Sequence, residues 1–598
     1  MRNTEDDTMI ANAGAVVLLR KQKGLRRELQ NRPNLLSIRI AFLCGSTVNE
    51  VAAFLELLLL EQGIQPVFYF SDYNKYFEEA VLDTARLVEF KPDIVFVYTS
   101  SANIQGWPLL DTSESDLNAY VVAESMRFAA IWNGLQPLGA VVVQNNFELP
   151  AQRLLGNHDA VSPTGRVRFI NLLNTEFARE AAARTNLLIH DLNGVAASVG
   201  LKAFHHAGRW FSYKMLTTPE GSLEVAKSVA AMVLAIYGRT RKCLVLDLDN
   251  TLWGGVIGDD GPEQIKIGRE TAEAEAFTAF QEYCLQLRSR GILLAVCSKN
   301  SEEIARQGFE HPDSVLLPDH FSCFKANWEP KHENIKAIAS ELNIGLDSIV
   351  FVDDNPAERE IISAQLPAVA VPDVGSDVSG FIRVLEDGRY FEPVRLSRED
   401  LKRAEQYQEN AQRAAFQGRF QNYDEYLESL EMSAEVAAFK PVYLDRITQL
   451  IGKTNQFNLT TRRYTRAQVE AIASDPSCIS LYGKLTDKFG DNGLISVLIG
   501  RKENDILHID LWIMSCRVLK RGMETVMLDA LVAECRSQGI GEIRGYYIQT
   551  ERNGLAAGHY AALGFKRSGG DDQHQVFRLD LSQGYQPQNK HIKEYVHE

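Results

Sequence analysis

The chain has 598 residues, 45% of them apolar and 24% charged, a balance close to the globular average that excludes disorder, collagen-like repeats and coiled coil as its main architecture. At ~100 to 200 residues per domain it should hold three or four cores. Its 63 Lys and Arg against 78 Asp and Glu leave a net charge of −15, which speaks against nucleic-acid binding and favours small-molecule or protein partners.

No stretch approaches the ~18 apolar residues that a membrane span requires, so no membrane partner is expected. Glu5, Asp6 and Asp7 precede a short Ala/Val segment and basic residues follow it, the reverse of a secretory signal. The expectation is a cytoplasmic chain. Eight cysteines without a CxxC pair are too sparse for a disulfide scaffold and should be reduced.

In chain order, residues 1–34 read as a basic helical segment. LLSIRIAFLCGST (Leu35 to Thr47), DIVFVYTSS (Asp93 to Ser101) and GAVVVQNN (Gly139 to Asn146) are apolar runs ending in small polar residues. NEVAAFLELLLLEQG (Asn49 to Gly63) reads as a helix among them, so 35–237 is expected to be a parallel α/β domain. CLVLDLDNT, ILLAVCSKN and SIVFVDDNP begin a second such domain over 238–392, and their polar ends should converge, because ligands bind beyond the carboxyl ends of parallel strands. Residues 393–431 read as a helical arm opened by a capping box at Ser397 and Asp400. Residues 432–581 mix strand alternation (ILHIDLWIM) with a long helix over Met523 to Gln538, an α+β unit, and 582–598 read as a polar tail.

The chemistry lies at the second set of strand ends. Asp247 and Asp249 stand two apart where a strand meets a loop. One carboxylate can attack phosphorus while the other protonates the leaving oxygen, and a hard divalent cation must screen their repulsion from phosphate. Oxygen ligands without a His or Cys cluster favour magnesium, with Asp353 and Asp354 completing the set. Ser298 offers a hydroxyl, and Lys331 an ammonium at a helix start, to phosphate oxygens.

DLDNT, CSKN, Lys331 and VDDNP, in this order, resemble the four motifs of the haloacid dehalogenase superfamily. The resemblance implies that Asp247 forms an aspartyl-phosphate and that Asp249 is general acid/base and a ligand through its backbone carbonyl. It further implies that Ser298 and Lys331 hold phosphate and that Asp353 binds Mg2+ with Asp354 beside it. Asn250, Thr251, Lys299 and Asn300 complete the substrate-binding set. The intervals between motifs leave no room for an inserted cap domain, so the site should be open.

LVLDLDNTLWGGVIGDDG (Leu244 to Gly261), KTNQFNLTTRR (Lys453 to Arg463) and DKFGDNGLISV (Asp487 to Val497) resemble the FkbH-like group of that superfamily. That resemblance implies transfer of a glyceryl unit from 1,3-bisphosphoglycerate, a phosphorylated three-carbon metabolite, to an acyl carrier protein in polyketide-type biosynthesis. An acyl acceptor within the chain would be a thiol; Cys297 beside Ser298, with Lys299 to lower its pKa, is either that nucleophile or a core residue. The alternatives are a plain metabolite phosphatase and an inactive docking or acyl-thioester-binding protein.

The first domain resembles the SGNH-hydrolase fold, with Ser46 at the nucleophile position and Asn145 or Asn146 near the asparagine block. It lacks that fold's late DxxH, so a docking or roofing role is expected, with His205 and His206 structural or exposed. The third unit resembles the GNAT fold, RVLKRGME (Arg517 to Glu524) standing at its pyrophosphate loop and HYAALGF (His559 to Phe565) at its tyrosine-bearing helix. Lys520 replaces the first loop glycine there, which puts coenzyme A binding in doubt. Arg517, Lys520 and Arg521 could instead meet a phosphopantetheine phosphate or an acidic carrier protein, with Tyr560 as an acid.

Overall fold

The computed structural model describes residues 10, 13–417, 419–550, 553–582 and 584–594; Glu5, Asp6 and Asp7 lie outside the described residues. The chain divides into two compact units, Met1–Leu234 with Tyr464–Ala471, and Ala235–Arg463 with Ile472–Glu598. No helix among the described residues is long and apolar enough to cross a membrane.

The first unit holds a parallel sheet of β1 (Leu36–Cys44), β2 (Ile64–Phe70), β3 (Ile94–Tyr98), β4 (Val141–Asn145) and β5 (Leu187–His190), in the order β2-β1-β3-β4-β5. The apolar runs of the sequence supply the three central strands. They are buried along nearly their whole length, as a sheet covered on both faces requires. The two edge strands are weaker signals. Pro66 interrupts β2, where only an edge position tolerates the missing N–H, and β5 has four residues.

The second unit carries two sheets. The first is parallel, of β6 (Cys243–Leu246), β7 (Leu293–Ser298), β8 (Cys323–Ala326) and β9 (Ile349–Val352), in the order β8-β7-β6-β9. Between β6 and β7 the helices are Ile257–Asp260 and Ala272–Ser289, and no cap domain intervenes. Ser397 Oγ accepts from Asp400 N at 3.1 Å while Asp400 Oδ2 accepts from Ser397 N at 3.1 Å, the reciprocal cap read from sequence.

The second sheet is mixed, ordered β15-β16-β14-β13-β12-β11-β10-β17, from β10 (Ser433–Ala438), β11 (Cys478–Asp487), β12 (Gly490–Glu503), β13 (Ile506–Met514), β14 (Glu542–Ile548), β15 (Lys566–Gly570), β16 (His574–Asp580) and β17 (Lys593–Glu594). The polar tail expected over 582–598 is therefore partly built in: β17 pairs with β10, Ile592 is buried, and Tyr585 donates to Asp529. The helix Arg403–Gln417 is fastened to this sheet by Arg413, whose guanidinium grips buried Asp487 through Nε (2.9 Å) and Nη2 (2.8 Å). Such a fork fits a carboxylate far better than a lysine would.

Candidate active site

Parallel register builds the site. Leu246 on β6 stands beside Val352 on β9, so the next residues, Asp247 and Asp353, leave the sheet side by side. Lys331 opens the helix Lys331–Glu341 with Pro330 ahead of it, and its Nζ lies 3.0 Å from Asp247 Oδ2 and 2.6 Å from Asp353 Oδ2. All three residues are buried. Burial alone would lower the Lys331 ammonium, but Asp247 and Asp353 outweigh it and hold the group above the ordinary lysine range. Burial pushes the Asp247 and Asp353 carboxyls up, against the pull of Lys331.

Asp247, Asp353 and Asp354 each offer one carboxylate oxygen within 4.8 Å of the others. Three carboxyl groups, two buried and one half-buried, stand against one ammonium, an excess of acidic oxygen that a divalent cation would neutralise. Asp247 Oδ1 is buried without a hydrogen-bond partner, the mark of an atom awaiting a ligand. The donors are all oxygen, so the residues fit a hard cation.

Asp249 is turned differently. Its Oδ1 accepts from Trp253 Nε1 (3.0 Å) and Ile257 N (3.1 Å), and its Oδ2 from Asn300 Nδ2 (2.8 Å). The side chain of Asp249 is thus held by three N–H donors outside the cluster of Asp247, Asp353 and Asp354, which leaves its backbone carbonyl as the ligand atom expected of it. Ser298 is buried at the end of β7, where Asn300 Nδ2 approaches its Oγ at 3.5 Å. Thr251 Oγ1 accepts from Asp354 N at 3.3 Å, and Asn250, in the left-handed region at φ 52, takes Gly255 N on its Oδ1 at 2.9 Å. Asn250 and Thr251 shape the two acidic loops.

Cys297 is a core residue. It is 0% exposed, packs with Cys243, Val245, Ile335 and Ile338, and donates its thiol to Lys331 O at 3.7 Å. Burial pushes the thiol far above its ordinary range, more than the Lys331 charge can offset. Lys299, expected to activate it, instead pairs with Glu358 at 2.5 Å. Of the two readings open for Cys297, its burial fits the core one.

The basic cluster of the third sequence unit, which the fold joins to the second compact unit, is largely withdrawn from solvent. Arg521 is buried, 3.3 Å from Asp487 Oδ2 and bonded to Asn410 Oδ1 at 2.8 Å. Burial lowers Arg517 below the usual arginine range, and of the three only Lys520 is exposed. Tyr560 is 1% exposed, and burial pushes its hydroxyl far up.

In the first unit Ser46 is fully buried and its Oγ has no hydrogen-bond partner. Asn145 is spent on Thr99 O (3.0 Å) and His190 Nδ1 (2.7 Å), and Asn146 on Asp191 Oδ1 (2.6 Å). His206 caps a short helix through Arg209 N. His205 Nε2 stands 4.0 Å from buried Glu148, whose carboxylate accepts from Ser101 N and Oγ.

Two residues at the second-unit site escaped the sequence reading. Trp253 orients Asp249, and its signal was the tryptophan four residues after a motif aspartate. Arg359 donates to the carbonyls of Asp353 (2.9 Å) and Asp354 (2.7 Å), fixing the loop that carries both carboxylates. Only its place one turn into the helix behind the Asn355–Pro356 start hinted at this.

No family model matches this chain, and no curated protein matches it. Among solved structures it is similar to the N-terminal part of the protein BF1531 from Bacteroides fragilis, which contains a phosphatase domain and is complexed with Mg. The identity is 28%, the match covers 62% of this chain and 99% of that one, and the TM-score is 0.58. The ribosomal-protein-S18-alanine N-acetyltransferase from Escherichia coli matches at 11% identity over 25% of this chain and 94% of that one, with a TM-score of 0.20. The PaiA N-acetyltransferase from Thermoplasma acidophilum, in complex with coenzyme A, matches at 16% identity over 25% and 99%, with a TM-score of 0.18. Likenesses that low carry no weight here. The first joins the site geometry in pointing to a phosphatase-type α/β core.

Proposed function

We propose that this chain is a magnesium-dependent enzyme of the haloacid dehalogenase type that takes a phosphoryl group onto Asp247. The observation that carries this is the Lys331 bridge between Asp247 and Asp353, with Asp247 Oδ1 left unpartnered. The acidic cluster suits the ion, and the Bacteroides fragilis structure holds Mg. When bound among Asp247, Asp353 and Asp354, magnesium supplies charge screening between carboxylate and phosphate and polarises the phosphoryl group.

The chain's own groups do the rest. Asp247 Oδ1 attacks phosphorus in line with the leaving oxygen. Asp249, oriented by Trp253, Ile257 N and Asn300, gives that oxygen a proton and later takes one from the water that hydrolyses the aspartyl-phosphate. Ser298 and Lys331 hold the equatorial oxygens, and Asn300, Lys299 and the backbone around Asn250 and Thr251 line the approach.

The finer reading is transfer of the glyceryl unit of 1,3-bisphosphoglycerate to an acyl carrier protein. With Cys297 in the core, the carrier's own thiol attacks the acyl carbon, forming the thioester C–S bond as the acyl C–O bond breaks and phosphate leaves, while Asp247 removes the ester phosphate. A site at the strand ends with no cap domain inserted between β6 and β7 suits such a macromolecular acceptor. The absence of a usable thiol at Cys297 also favours a second reading, a plain metabolite phosphatase with water as sole acceptor. Mass spectrometry of carrier protein incubated with the enzyme and 1,3-bisphosphoglycerate separates them. A glyceryl mass gain with phosphate released supports transfer; phosphate release without mass gain leaves the phosphatase.

A further inference from the structure

Coenzyme A is what the resemblance of RVLKRGME and HYAALGF would imply for the third unit, and its residues do not fit that cofactor. Two places would have to accept it: a helix N-terminus for the diphosphate, and a gap in the sheet for the extended thiol arm. Both are taken by the chain itself.

The helix Met523–Ser537 starts at Gly522, and the N–H groups before it face the side chain of Glu524. Lys520 N donates to Glu524 Oε1 at 2.9 Å, with backbone donors from Gly522 and Glu524 directed to the same carboxylate. A carboxyl group of the chain itself, pushed up by burial, takes up the N–H groups that a diphosphate would need. Lys520 itself sits in the left-handed region at φ 64. Arg521 is buried against Asp487, and Arg517 is half-buried with its Nε donating to Ser515 Oγ at 3.2 Å.

The sheet gap is filled as completely. β13 and β14 run parallel but pair only from Ile506 to His508 against Glu542 to Arg544, then diverge. Phe457–Thr460 enters the wedge as an improvised strand. On the β13 side, Leu459 N donates to Trp512 O, Met514 N to Phe457 O, and Thr460 Oγ1 to Asp510 O at 2.7 Å. On the β14 side, Ile548 N donates to Leu459 O at 2.8 Å, and Asn553 Nδ2 to Asn458 O at 3.0 Å. Asn458 and Leu459 are fully buried. The backbone groups an extended ligand arm would seek are already paired.

The strap is anchored at its other end as well. Asn455 Nδ2 donates to Gly238 O at 2.9 Å just ahead of β6, and Lys453 Nζ holds Asp400 at 2.8 Å. We infer that the chain's own Phe457–Thr460 segment and Glu524 carboxylate occupy both halves of a coenzyme A site. The third unit neither binds coenzyme A nor passes acyl groups from it, and its wedge serves to fasten the strap running from the phosphatase-type core.

Calorimetric titration of the full chain with coenzyme A and with acetyl-coenzyme A tests this. No saturable heat up to about 1 mM is expected, a weaker affinity than ordinary cofactor sites show. Saturable binding of either would overturn the inference. Hydrogen exchange reads the strap independently. The amides of Leu459 and Ile548 should exchange as slowly as those of the central strands, with coenzyme A leaving them unchanged; exchange as fast as exposed loops would show that the strap leaves the wedge and would equally overturn it. Neither measurement depends on phosphatase activity.

Discussion

Lys331 holds its ammonium 3.0 Å from the carboxylate of Asp247, with one oxygen of that carboxylate left unpartnered. Three consequences for this site, and two for the rest of the chain, can be measured.

Asp247→Asn keeps the side-chain shape but removes the attacking oxygen's charge. Phosphate release should fall on the order of 10⁴-fold or more while the circular dichroism spectrum stays as in the parent. Turnover surviving in that variant would remove the aspartyl-phosphate mechanism.

Magnesium should raise the melting temperature of the parent, because it binds the folded carboxylate cluster and not the unfolded chain. Chelation should abolish phosphate release, and added magnesium should restore it. A double Asp353→Asn, Asp354→Asn variant should show no melting shift on magnesium addition.

Cys297→Ala removes one buried atom from a packed cluster, so the expected cost is about 1 kcal/mol of stability, with phosphate release and any carrier acylation seen in the parent both retained. Thermal unfolding and the carrier-protein mass assay check both. Loss of transfer with phosphate release intact would restore the thiol to the chemistry.

Arg413→Ala leaves Asp487 buried with its chief partner gone. A loss of about 3–5 kcal/mol in urea unfolding of the second unit is expected, well beyond what a surface ion pair provides. Glu→Ala at position 542, whose partners Arg544 and Arg578 are largely exposed, is the mild control, at about 1 kcal/mol or less.

In the first unit, burial pushes Glu148 up to about 7, against the bonds from Ser101. The folded state therefore keeps a proton that the unfolded state gives up near pH 4, and stability should fall as pH rises from there to about 7. Glu148→Gln should flatten that slope in pH-dependent thermal unfolding; an unchanged slope would assign it to other groups.

Much of this was legible in the sequence because fully buried strands must be continuously apolar. β1, β3, β4, β6, β7 and β9 announce themselves that way, and their polar ends name the site. β8 escaped because CFKA is four residues long and carries Lys325, which is paired with Glu341. The position of Cys297 was not legible. Whether a residue beside a strand-end serine faces the solvent or the helix behind depends on the pleat, and here Ile335 and Ile338 of that helix cover it. The basic cluster misled for a related reason, since its partner Asp487 lies on a distant strand and only folding brings them together.

The pairing of Leu246 with Val352 also sets how this site tolerates change. Sliding either strand by one residue would move its carboxylate by ~3.3 Å and turn it to the opposite face of the sheet, so no intermediate spacing exists. Insertions and deletions within these two strands should therefore be all-or-none for catalysis, whereas the loops behind them are free to lengthen.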